Sequence, residues 1–357
     1  MLSRRTLRFL APFAALAILQ GVTTTAAAAT HVRSGQSIQA AIDAAAPGDT
    51  IVVERGTYRE NLVVTRSVRL LSRGAVLTQP GSTGLNPCGF GQAAAPVVGI
   101  CVIGQVSPDF VVSQTVDDVS ITGFTIRGFS GDGVLALGAS GFRAVRNVVA
   151  NNGGYGIFAN SSSDIELLYN TTYGNHEAGL YVGDSPTANA AVIGNSSYNN
   201  VGEGILIRDA LGGRLVRNHL YGNCAGIFVL NTGAPGLSGN MSVLLNEVTA
   251  NNRLCPGEEG EAPPFGGIGI ALLGAQNTTV LLNLVRNNDA QANSALPGGG
   301  IVLFDTTAFG GGTPTGNTVQ RNVLSGNDAN DINGDGSGTG NTISGNTCTN
   351  TNVVGAC

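Results

Sequence analysis

Residues 170–206 read NTTYGNHEAGLYVGDSPTANAAVIGNSSYNNVGEGIL. The stretch says one thing twice. Asn170, four residues and Asn175 lead to Gly179-Leu180; Asn195, four residues and Asn200 lead to Gly204-Ile205. Outward from it the same phrase recurs as Asn147-VVAN-Asn152, Asn218-HLYG-Asn223, Asn246-EVTA-Asn251, Asn283-LVRN-Asn288 and Asn322-VLSG-Asn327. The close-set copies begin 23 to 25 residues apart, and the longer gaps carry insertions. A fixed period of this size is the signature of a solenoid.

The contents of the repeat say which one. Asn and Gly are poor strand residues, so their regular placement marks corners. Between them run short aliphatic segments such as Val243-Leu244-Leu245, Ile205-Leu206-Ile207 and Ile301-Val302-Leu303, too short for helices and bounded by turn formers. Each coil therefore holds about three short strands and three bends. Coils stacked about 4.8 Å apart bring an Asn amide within reach of its equivalents above and below. Asn147, Asn170, Asn195, Asn218, Asn246, Asn283 and Asn322 are expected to form such a ladder. The glycines opening each aliphatic strand (Gly133, Gly156, Gly179, Gly204, Gly226, Gly269 and Gly300) are expected to supply a backbone bend. Crossover chirality makes the whole an all-β, right-handed parallel β-helix.

The ends fit this architecture. Ser37-IQAAIDAAA-Pro47 places Ile38, Ala41, Ile42 and Ala45 on one face of a short helix that would cover the open N-terminal core. The stretch Gly123-FTIR-Gly128, followed by Gly133-VLAL, reads as an earlier coil with Gly in place of Asn, and Gln79–Gln105 as a loop. The expected organisation is a signal peptide over 1–29 and one domain over 30–357. Within it lie a cap at 35–60, coils at 61–346 and a pinned C-terminus at 347–357.

On these residues the chain resembles the pectin-lyase-like β-helix superfamily. The segment SIQAAIDAAAPGDTIVVERGTYRENLVV is similar to the N-terminal segment of several branches, among them pectin methylesterases and periplasmic proteins that assist nitrous-oxide reductase maturation. HEAGLYVGDSP, GEGILIRD, GNCAGIFVLNTGAPGLSGN and GDGSGTGNTISGNTC resemble uncharacterised secreted bacterial β-helix repeat proteins. The likeness covers residues 35–357 and implies a fold, not an activity.

Arg4, Arg5 and Arg8, the apolar Phe9–Leu19 and the alanines 26–29 form a secretory signal, too short to span a bilayer. Removing those three arginines from 18 basic residues leaves 15 against 23 acids, a net charge near −8, with no Lys. That balance excludes nucleic acid and anionic membranes as partners, and the protein is expected to be a secreted monomer. Six cysteines in an exported chain suggest three disulfides. Cys88 with Cys101 and Cys348 with Cys357 close local loops, while the repeat register brings Cys224 and Cys255 to one corner.

Function should lie on outward-facing columns. Tyr173, Tyr198 and Tyr221 share a position on consecutive coils and point outward by strand parity, with His219 beside them, so they are candidates for stacking against sugars. Tyr181 faces outward on the next strand. Asp184 and Asp209 fall in equivalent positions of adjacent coils next to Arg208. Such a trio suits acid/base work, a uronate carboxylate or Ca²⁺, although an Asp at a turn is also ordinary turn chemistry. The insertions Arg253–Phe265 and Asp289–Pro297 share one corner and should form a wall, made acidic by Glu258, Glu259 and Glu261. The absence of Lys excludes a lysine-based lyase, and Asp331-INGD-Gly336 lacks the Glu that would complete a calcium loop. Two functions stay open: a secreted protein that binds a polysaccharide and could process it as a lyase or as a hydrolase, or a non-catalytic surface scaffold.

Overall fold

The computed structural model describes residues 29–82, 86–89, 96–233, 237–256 and 263–357. The expected signal peptide, up to residue 28, and the acidic run Glu258, Glu259 and Glu261 lie outside the described residues. The chain winds into a right-handed parallel β-helix with three long sheets, here A, B and C. One coil contributes Arg143–Val145 to sheet A, Val148–Ala150 to B and Ile157–Asn160 to C; the next contributes Glu166–Leu168, Thr171–Tyr173 and Leu180–Ser185. Equivalent residues pair in parallel, Ala144 with Leu167, Val149 with Thr172 and Ile157 with Leu180. Alternation then sends Ala144, Leu167, Val149, Ile157 and Leu180 into the shared core, fully buried.

The corners explain the asparagines. Each is a residue in the left-handed region followed by an inward Asn: Arg146 (φ 52°) before Asn147, Asn151 (φ 55°) before Asn152. The Asn147 amide donates to Asn170 Oδ1 (3.1 Å), Asn170 to Asn195 (3.1 Å), Asn195 to Asn218 (3.0 Å) and Asn218 to Asn246 (2.9 Å). The row continues through Asn283 and Asn322 to Asn346. Each Oδ1 also accepts a backbone N–H from the preceding coil, as Asn195 Oδ1 does from Asn170, and the Asn170 amide reaches the Ala144 carbonyl. Every amide is thus satisfied inside the core, where an unpaired one would cost about 1–3 kcal/mol. A second row runs from Asn152 through Asn175, Asn200 and Asn223 to Asn327.

Both ladders end on a dedicated acceptor. Asn346 donates to the Ala356 carbonyl (2.9 Å), and Asn327 to Asp331 Oδ1 (2.9 Å). Asp331 also accepts the Thr349 N–H (3.0 Å). Burial would raise this carboxyl, but the bonds from Thr349 and Asn327 outweigh it and hold it below the usual range. The half-calcium-loop motif is therefore the end-stop of a ladder. Cys348 bonds Cys357 in the same tail.

Several sequence expectations are corrected here. The strand-opening glycines have no left-handed φ; a methyl at Gly179 would instead overlap Ser197 Oγ, Thr172 Oγ1 and Asn200 Nδ2. They leave room for the ladder rather than bend the chain. Gly123 and Gly128 do not replace Asn. They hold the left-handed position (φ 76° and 72°), and the Asn places are filled by buried Phe124 and Phe129, whose N–H groups donate to Asn147 and Asn152. The loop after Gln79 is shorter than expected, because Ile100–Ile103 is a strand of sheet C. The first strands are Thr30–Val32 and Asp49–Val53, which pair in parallel, and helix Ile38–Ala44 lies between them. Ser37 caps that helix, the Glu60 carboxylate accepts the Ile38 and Gln39 N–H groups (3.0 and 3.1 Å), and Ile38 and Ile42 bury into the core. Among the described residues no helix is long and apolar enough to cross a membrane.

Candidate functional site

The outer face of sheet C differs from the rest of the surface because it is roofed at both ends. At the N-terminal end, Cys88, bonded to Cys101, packs with Ile103, Leu135 and Leu137. At the C-terminal end the two insertions rise together, with the Ala295 N–H on the Pro264 carbonyl (2.7 Å) and the Gly266 N–H on Ser294 Oγ (3.3 Å). Disulfide Cys224–Cys255 anchors that wall, and Phe265 covers Phe228 with ring centroids 5.1 Å apart. The strip of sheet C between the two walls, called the trough below, is floored by Phe158 stacked on Tyr181 (4.3 Å, 7°), with Tyr155 tilted against both (4.9 Å).

Tyr181 points away from the core as parity requires, yet it is only 1% exposed. Expectation treated outward as exposed; the walls and the neighbouring rings make the difference. The ring leans along its own strand over Gly183, where a Cβ would fall 2.7 Å from Tyr181 Cζ and Oη. Arg208 lies over the other part of the site, its guanidinium 5.6 Å from the Tyr181 centroid, 3.8 Å from Asp184 and 4.0 Å from Asp209. The structure thus gathers Tyr181, Asp184, Arg208 and Asp209. Tyr181 Oη and Arg208 Nε are two of only three buried side-chain polar atoms without a hydrogen-bond partner among the described residues.

The two aspartates differ. Asp209, 1% exposed, accepts both the backbone N–H (2.7 Å) and the hydroxyl of Thr232. Burial raises its carboxyl, the Thr232 bonds and Arg208 oppose the rise, and the group is occupied in holding a turn at φ 49°. Both of its oxygens are taken up in that turn, the turn chemistry expected of an Asp in this place. Asp184, 28% exposed, accepts from the Asn160 amide (2.8 Å) and faces Arg208. The guanidinium's two carboxylate contacts occupy the bridging role a Ca²⁺ ion would need. No group of three or more His, Cys, Asp or Glu side chains among the described residues is arranged to hold a metal.

Two carboxyls of raised pKa lie where sequence reasoning did not look, in the column just before each strand-opening glycine. That column reads Asp132, Tyr155, Ala178, Glu203 and Ala225, linked coil to coil by main-chain bonds (Gly133 N–H to Tyr155, Gly156 to Ala178, Gly179 to Glu203). Glu203 is buried, and burial pushes its carboxyl up to about 7, with Glu177 adding to the rise and Arg208 opposing it. Asp132 is likewise lifted to about 7 by burial, although the Tyr155 N–H (2.8 Å) pulls it back. Burial raises both tyrosine hydroxyls, so Tyr155 and Tyr181 remain neutral donors. For Arg208, burial lowers the value but Tyr181 and Asp184 more than offset it, and the group stays charged. The available signal was a charged residue abutting an aliphatic strand, as in Gly202-Glu203-Gly204.

Sheet B carries the expected tyrosine row. Tyr173, Tyr198 and Tyr221 stack with centroids 5.2 and 4.8 Å apart and planes within 7°, and His219 tilts against Tyr221 (4.8 Å). Both faces of Tyr198 are covered by its neighbours. At Tyr198 only the ring edge remains for a ligand, whereas Tyr173, which follows Ala150 on the preceding coil, keeps one face without a ring neighbour.

The comparisons agree on the fold. The family model for the right-handed β-helix region matches residues 97–248. A search of curated proteins finds no match. Among solved structures, the A-module of Azotobacter vinelandii mannuronan C-5 epimerase AlgE4 is similar at 19% identity, with a TM-score of 0.53 over 89% of this chain and 95% of that one. DFA-IIIase from Arthrobacter chlorophenolicus A6, in complex with GF2, is similar at 12% identity, TM-score 0.55, over 87% and 89%. ORF18 of Geobacillus virus E2 is similar at 13% identity, TM-score 0.52, over 88% and 57%. At these identities the likeness establishes the right-handed parallel β-helix fold and nothing finer.

Proposed function

We propose that this chain is a secreted protein that binds a polysaccharide in the trough on sheet C and cleaves it hydrolytically. The observation that carries the proposal is the convergence of two unpartnered buried donors, Tyr181 Oη and Arg208 Nε, on a floor of aromatic rings. Such donors persist where a ligand satisfies them, and rings beside hydroxyl donors suit a sugar. Two similar structures, a mannuronan epimerase and DFA-IIIase, support a carbohydrate ligand by analogy of fold. Three disulfides suit an oxidising compartment, in keeping with secretion.

For the chemistry, Glu203 with its carboxyl near 7 is the proton donor to the departing sugar oxygen. Glu177 on the adjoining coil accepts a proton from the attacking water, so that the glycosidic C–O bond breaks as water's oxygen bonds to carbon. Asp184 and Arg208 position the chain, and Tyr181 donates to it. A second reading, a non-catalytic scaffold, is favoured at Tyr198 and Asp209, where both ring faces and both carboxylate oxygens are already engaged.

Reducing-end release from a panel of polysaccharides tests the proposal. Product is expected from the native protein and a loss of about 10²-fold or more in Glu203→Gln, with an unchanged circular dichroism spectrum. Binding without product on any polymer would remove the catalytic half. Neither binding nor product would remove the whole proposal and leave the scaffold.

A further inference from the structure

Resting on that trough as the glycan site, we propose that its substrate is an uncharged polysaccharide and that polyuronates are excluded. The charge census decides the matter. Asp132, Glu177 and Glu203 stand at the beginning of the trough's strands, and Asp184 and Asp209 at their far end. The one cation among them is Arg208, and its charge is already shared between Asp184 (3.8 Å), Asp209 (4.0 Å) and the face of Tyr181. A guanidinium held by two carboxylates and a ring keeps an N–H to donate but has no charge left to neutralise a sugar carboxylate. Of the other basic groups near this edge, His176 lies 3.9 Å from Glu177, and Arg253 is turned onto the Asn199 and Asn200 carbonyls (2.9 and 3.4 Å).

What the trough leaves unpaired is neutral in kind. Tyr181 Oη and the Arg208 Nε–H suit a hydroxyl or ring oxygen, and the rings of Tyr155 and Phe158 suit the C–H face of a pyranose or furanose. Above about pH 7, where Asp132 and Glu203 lose their protons, a uronate in the same place would set its carboxylate among acids, a like-charge arrangement that suppresses wrong ligands. The fold therefore resembles that of a mannuronan epimerase while the electrostatics of this face point to a different polymer class.

Affinity electrophoresis of the native protein tests this. The gels carry neutral glucans, mannan, xylan or fructan, and in parallel alginate, polygalacturonate or chitosan. Retardation by at least one neutral polymer is expected, with polyuronates at least about tenfold weaker and the gap narrowing in high salt. The Glu177→Gln/Glu203→Gln double variant should gain retention on polyuronate. Tyr181→Phe, which keeps the packing, should lose retention on the neutral polymer. Polyuronate binding as tight as neutral binding, abolished in Arg208→Gln, would overturn the inference yet leave the trough as a polysaccharide site; so would preferential binding of cationic chitosan. No retardation by any polymer would sink both the inference and the trough reading on which it rests.

Discussion

Two aromatic columns climb the outside of this solenoid, and they do different things. On sheet B, Tyr173, Tyr198 and Tyr221 stack in near-parallel planes, so that the ladder consumes its own ring faces. On sheet C, Phe158 and Tyr181 also stack, but between walls, beside acids of raised pKa and with a hydroxyl left without a partner. Strand parity is the same in both. The difference comes from the insertions and the Cys88 segment, which turn one outward face into a sheltered trough and leave the other as bare surface. A repeated aromatic is a ligand handle only when something other than its own repeat surrounds it.

The shared interior beneath both columns should be the most sensitive point. Asn200→Ala removes the acceptor for the Asn175 amide and backbone N–H, and a loss of about 3 kcal/mol is expected in chemical denaturation. A loss below about 0.5 kcal/mol would show that the ladder is not what holds the coils in register.

The next effect belongs to the trough alone. Burial raises the folded pKa of Glu203 above its ordinary value of 4.5, to about 7. The native state therefore binds the proton more tightly than the unfolded state between those values, and stability must fall as pH rises through that window. The melting temperature should drop between about pH 5 and pH 8, and Glu203→Gln should flatten the slope. A Tyr198→Phe control on sheet B should keep the native slope.

Smaller effects separate the two hydroxyl sets. Tyr181→Phe deletes a buried hydroxyl that has no partner, so without glycan it should be neutral or stabilising by up to about 1 kcal/mol. A clear destabilisation would mean the hydroxyl is satisfied within the fold. Tyr198→Phe should change stability by less than about 0.5 kcal/mol.

The sequence carried the architecture well and the site poorly, for physical reasons. Asn at fixed spacing has one economical use in stacked coils, so the ladder from Asn147 to Asn322 could be read from the period alone. The pairing of Cys224 with Cys255 followed from the same register. The corners were harder: the left-handed residue is the one before each Asn, and it is as varied as Arg146, Tyr169, Gly194 and Leu245. Asp184 stood out because it shares a column with Asp209, Arg208 because it precedes Asp209, and Tyr181 because strand parity turns it outward. Glu203 and Asp132 did not, because their importance comes from burial by segments distant in sequence. Asp209 looked identical to Asp184, and only Thr232, one coil on, distinguishes a turn-holder from an accessible carboxylate.

The sharpest comparison is a single gel series carrying a polysaccharide that retards the native protein, run with Tyr181→Phe and Tyr198→Phe side by side. If the sheltered face of sheet C is the ligand face, Tyr181→Phe migrates as in a polymer-free gel while Tyr198→Phe is retarded like the native protein. Retention that survives Tyr181→Phe and disappears in Tyr198→Phe would place the ligand on the tyrosine ladder and contradict the account.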